Sequence, residues 1–109
     1  KGVNMSDWTE LRNAAIEAAK NELTGQWSIV ANTLIPQIDN LANTAYYIEK
    51  NKDKMTDGEI ESLMSSQRFA MEITLISYAN ISSLIARKII NSVIDVLVKG
   101  IPGLIIAGL

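Results

Sequence analysis

The side chains best suited to chemistry are the carboxylates Glu17, Glu22, Asp39, Glu72 and Asp95, and they are scattered along the chain. Histidine and cysteine are absent. The commonest general base and metal ligand are therefore missing, together with thiolate metal sites, thiol nucleophiles and disulfides. A di-iron helical bundle needs Glu-x-x-His pairs and cannot be built from this chain. No Gly-x-Gly-x-x-Gly, Walker loop or Gly-x-Ser-x-Gly occurs. Carboxylates alone can hold magnesium, but only where a fold gathers them. The sequence leads us to expect no enzyme, no cofactor and no metal site.

Asp39, Arg68 and Glu72 are the polar residues that need an account. Arg68 and Glu72 stand four residues apart between apolar blocks, the spacing of an ion pair on one helix face. In the antiparallel register derived below, Asp39 comes close to both. We expect these three to form ion pairs that fix the register, the other reading being the polar end of a ligand pocket near Pro36. Asn80, Ser82 and Ser83 either hydrogen-bond within the fold or mark a strip facing water. Trp8, Trp27, Tyr46, Tyr47 and Tyr78 suit core or interface anchors. No basic residues alternate with them, and the net charge is −2, which predicts no nucleic-acid surface.

What positions these residues is read from periodicity. Trp8, Leu11, Ala15, Ala19, Leu23, Trp27, Val30, Leu34, Ile38, Leu41, Ala45 and Ile48 follow one another in steps of three or four, the period of an α-helix. Ser6 or Asp7 offers the cap, and the helix is expected over 6–50, after a short lead of five residues in which Met5 reads as a natural start. Pro36 costs about 3 kcal/mol inside a helix and Gly25 about 1 kcal/mol, so a kink or a split near Pro36 is expected. Asn51-Lys52-Asp53-Lys54 is a polar turn. Thr56 or Asp57 then caps a second helix over 57–99, which has no proline or glycine after Gly58 and is apolar on more than one side.

The fold class expected is therefore all-α, a long antiparallel helical hairpin. Placing Ile48 by Ile60 brings Leu41 to Gln67 and Arg68, Leu34 to Leu75, Trp27 to Ile81 and Ser82, and Ala19 to Ile89. Two helices cannot cover so many apolar faces, so two hairpins are expected to pair into a four-helix bundle, as a homodimer or higher oligomer. The interface is assigned to Phe69, Ile73, Ile76, Leu84, Ile90, Ile94, Leu97, Leu104 and Ile105. The charge-free stretch 100–109 should be covered by the bundle end near Trp8 and Leu11 or by a second subunit; the alternative is insertion into a bilayer or docking on a partner.

With 48% hydrophobic residues and no run long enough to span a bilayer, the chain reads as one helical domain of a small interaction or structural protein. A membrane-associated or apolar-ligand-binding protein using 100–109 is the alternative. The lack of cysteine leans towards the cytoplasm.

Overall fold

The computed structural model describes residues 5–99, with side chains from Trp8 onward. The stretch 100–109, with Leu104 and Ile105, lies outside the described residues. Four α-helices follow in order: α1 (Met5–Leu23), α2 (Trp27–Asn51), α3 (Asp57–Ala79) and α4 (Ser83–Val98). The described residues contain no strand. The all-α class and the helical-bundle packing expected from the sequence are both present.

The boundaries differ from expectation in two places. The first long helix is interrupted at the 3-10 turn Thr24–Gln26, well before Pro36, and α2 continues unbroken through the proline. Pro36 and Asn32, the residue whose carbonyl loses its donor, are both exposed, so water can satisfy that carbonyl. The second long helix is not continuous over 57–99, because it stops at Ala79 and restarts at Ser83. At 1.5 Å per residue, an unbroken helix over 57–99 would be about 65 Å long. The longest dimension of the molecule is 39 Å.

Each break reverses the chain. Trp8 meets Tyr46 edge-to-face at 6.0 Å, and Arg12 Nε donates to Asp39 Oδ1 at 2.7 Å, so α1 runs back along α2. Arg87 Nε reaches Glu72 Oε2 at 3.3 Å, so α4 runs back along α3. Between α2 and α3 the expected register is close to that observed. Gln67 donates to Thr44, Gln37 Nε2 to the Ala70 carbonyl at 3.4 Å, and Gln26 Nε2 to the Ala79 carbonyl at 3.2 Å. The last bond ties the two breaks together. The long hairpin is thus folded at its middle, and one chain supplies all four helices of a bundle, with α4 closing against α1.

Local chemistry explains the helix ends. Thr56 Oγ1 accepts the Glu59 N–H at 3.1 Å while Glu59 Oε1 accepts the Thr56 N–H at 2.8 Å, a reciprocal cap at the start of α3. At its other end Asn80 takes a left-handed conformation (φ 54°, ψ 43°), which asparagine tolerates better than most residues. The amides of Asn80 and Ile81 both turn back to the Leu75 carbonyl. Ser82 Oγ then accepts the Ile85 N–H at 3.3 Å and starts α4.

The core is aliphatic, as composition requires. Ala15, Ala19, Val30, Leu34, Ile38, Leu41, Ala45 and Ile48 are fully buried, with Trp8 and Leu23 close to it. Leu11 and Trp27 pack at its edge. The small alanines of α1 allow close approach of α4, whose Ile89, Ile90, Val93, Ile94 and Leu97 fill the centre.

Candidate functional site

The residues assigned to an interface separate into two groups. Ile90, Ile94 and Leu97 are fully buried in the chain's own core. They recur with Ala86, Ile89 and Val93 as one wide stripe, and that stripe is occupied by the rest of the chain. Phe69, Ile73, Ile76 and Leu84 are on the outside, at 62%, 48%, 39% and 80% exposure.

The outer residues of α3 make a second stripe. Its inner face buries Ile60, Met64, Met71, Thr74 and Leu75, with the Thr74 hydroxyl satisfied by the Ala70 carbonyl at 3.1 Å. Phe69, Ile73 and Ile76 are spaced i, i+4, i+7 and share the opposite side. Ile29, Tyr78 and Ile85 are also exposed; Tyr78 is among the aromatics expected as core or interface anchors, whereas Ile29 and Ile85 are additions to the surface. Gln26 and Gln37 are fastened to the Ala79 and Ala70 carbonyls, which sets the intervening Ile29 level with Ile76. The signal for Ile29 was its place off the core stripe of α2. For Ile85 no such signal exists until the break at 80–82 is known.

The three charged residues expected to pair together do not. Asp39 binds Arg12 of α1, Glu72 binds Arg87 of α4, and Arg68 is approached by Glu61 of its own helix at 4.0 Å. The two chain reversals are the cause, since each delivers a nearer cation than the straight hairpin would. The pairs are partly solvated, so each contributes about 1 kcal/mol or less and acts mainly on register. Lys50 Nζ lies 5.5 Å from the centre of the Tyr46 ring, a further contact of this modest class.

Beside the α3 stripe runs a groove of about 800 Å³ between α3 and α4. Phe69, Leu84 and Ile90 give it apolar walls, and Arg68, Glu72, Arg87, Lys88 and Asp95 its charges. A depression at the α2–α3 end is walled by Asn43, Tyr47, Met55, Glu59 and Leu63. Among the described residues no group of three or more acidic side chains is placed to hold a metal ion. No described helix is long and apolar enough to cross a membrane. The surface is an apolar stripe with a polar rim.

Neither protein-family models, nor curated proteins, nor solved structures give a match to this chain. The arrangement can bury apolar area and orient a partner.

Proposed function

We propose that this is a small non-enzymatic helical interaction protein that pairs with a second copy of itself through the outer face of α3. The observation that carries the reading is the second apolar stripe, Phe69, Ile73 and Ile76, on a helix whose first stripe already fills the core. Scattered exposed apolar residues are ordinary, whereas a contiguous stripe at helical spacing favours a partner helix.

A second copy suits this stripe because it is complementary to itself. Two α3 helices laid antiparallel about a twofold axis near Ile73 set the bulky Phe69 of one protomer against Ile76 of the partner subunit, and the reverse. Leu84 and Ile85 extend the apolar area, and Arg68 and Glu72 lie along one edge as a polar rim. This differs from the pairing expected from sequence, in which α4 would have supplied half of the contact. A setting in the cytoplasm accords with a cysteine-free chain.

Light scattering at low micromolar concentration tests the proposal. The wild-type chain is expected to be a dimer, and Ile73→Glu and Phe69→Glu are expected to be monomers with unchanged helical circular dichroism. A monomeric wild type, or a dimer indifferent to both substitutions, would sink it.

A further inference from the structure

We propose that the two corners are paired hinges, and that the chain exchanges its α1–α4 half with a second copy to make an intertwined dimer. The four helices divide into two leaves, since α1 packs most extensively on α4 and α2 on α3. The leaves are joined at one end, by Thr24–Gln26 and by 80–82, three residues each. Gln26 Nε2 donates to the Ala79 carbonyl at 3.2 Å, so the hinges lie side by side. Each holds a non-glycine residue in the left-handed region, Thr24 at φ 49° and Asn80 at φ 54°, and neither contains proline. Each can therefore straighten into helix, which removes the left-handed residue.

The buried stripes keep helical phase across both hinges. Leu23 and Val30 flank one and Ala79 and Ala86 the other, all four buried and each pair seven residues, or two turns, apart. An opened chain is thus an extended hairpin with one unbroken apolar face, like the two pages of an open book. A second opened copy, laid on it about a twofold axis at the hinges, covers that face with the contacts of the closed chain. Trp8 of one protomer then meets Tyr46 of the partner subunit, and Arg12 meets Asp39 of the partner subunit. Short hinges under strain favour such an exchange. Closure within one chain benefits from an effective concentration in the millimolar range, so the exchanged form requires protein at about that concentration. The outer face of α3 takes no part, so this mode is separate from the pairing proposed above.

The chain has no cysteine, so Arg12→Cys with Asp39→Cys gives one addressable pair across the leaves. With Ile73→Glu added to remove pairing through α3, the full chain is refolded at about 1 mM and at low micromolar concentration. Both samples are then diluted and joined by a short bismaleimide. Cross-linked dimer on a denaturing gel is expected from the concentrated sample and cross-linked monomer from the dilute one. A dimer made through the outer face of α3 gives cross-linked monomer in both, so the gel separates the two modes. Small-angle scattering of the exchanged dimer should give a length of about 70 Å, that of a continuous helix over 5–51, against 39 Å for the closed chain. Asn80→Ala, which favours helix over the left-handed region, should lower the dissociation constant about tenfold or more, because the hinge occurs twice in the dimer. Asn80→Gly, which suits the left-handed corner and weakens helix, should raise it by about the same factor. Cross-linked monomer alone at both concentrations, or equal dimer from Asn80→Ala and Asn80→Gly, would overturn the proposal.

Discussion

On α4 the apolar residues Ala86, Ile89, Ile90, Val93, Ile94 and Leu97 all lie against the rest of the chain, and only Leu84 and Ile85 in its first turn are exposed. α3 divides its apolar residues between two sides. Ile60, Met64, Met71 and Leu75 are buried, while Phe69, Ile73 and Ile76 face outward. The two helices are neighbours in sequence, and the more aliphatic of them, α4, leaves fewer apolar residues exposed, so content alone does not set the difference. What separates them is orientation: α4 is received by the alanine face of α1, and nothing in the described chain lies over the outer side of α3. Apolar content therefore says how much must be hidden, and topology decides which residues the chain can hide by itself.

The sharpest way to break that contrast is to delete equivalent atoms on the two sides. Leu97→Ala removes a fully buried side chain and should destabilise the fold by about 2–5 kcal/mol. Ile73→Ala, at 48% exposure, should change the stability of the single chain by about 0.5 kcal/mol or less. Urea denaturation at the lowest workable concentration compares them without association. Equal losses would mean that the outer face of α3 is covered by this chain after all.

The next largest effect lies at the corner that sets the two helices apart. Asn80 is exposed and sits at φ 54°, so a substitution there acts through the backbone and not through packing. Asn80→Val puts a β-branched residue in the left-handed region and should cost about 1–2 kcal/mol. Asn80→Gly should be close to neutral. If valine is tolerated as well as glycine, then α3 and α4 do not part at this residue, and the inward direction of the α4 stripe needs another cause.

Much of this was legible in the sequence, and the exceptions have physical reasons. The stripe from Trp8 to Ile48 faces the core, with Leu11 and Trp27 at its edge, and the expected pairing of Leu34 with Leu75 and of Trp27 with Ile81 and Ser82 lies within about a turn of the observed register, in which Gln37 meets Ala70 and Gln26 meets Ala79. Of the two expected caps, Thr56 and Asp57, Thr56 is the one that caps α3. The stripe kept its phase across Thr24–Gln26 because a tight reversal returns the next helix to the same core, so in-phase spacing does not prove a straight helix. The break at 80–82 uses asparagine and serine in place of glycine or proline, and their roles depend on hydrogen bonds to Leu75 and Ile85 that sequence does not show. The apparent all-round apolarity of 57–99 was the sum of two stripes aimed differently. Of the residues assigned to an interface, Phe69, Ile73, Ile76 and Leu84 are exposed, whereas Ile90, Ile94 and Leu97 are buried and can be placed inside only once α4 is known to fold back. The ion pairs failed with the straight helices that predicted them.

The smallest effects belong to the other corner, which carries a glycine and uses it oddly. Thr24 has φ 49°, in the left-handed region, whereas the adjacent Gly25 lies outside that region. A β-branched residue there is strained by about 1–2 kcal/mol, so Thr24→Gly should relieve it. Glycine's greater freedom in the unfolded chain offsets part of the gain, and a net stabilisation of about 0.5–1 kcal/mol is expected. Gly25→Ala should also stabilise by about 0.5 kcal/mol, since a Cβ at that position meets no atom within 4 Å. Together the two changes should raise the melting temperature by several degrees, about 4–8 °C per kcal/mol at this size. The sign of the Thr24 result is the informative part. A loss of stability on Thr24→Gly would mean that α1 and α2 pass through Thr24 as ordinary helix, where glycine is the weaker former, and the reversal joining Arg12 to Asp39 would have to be made elsewhere.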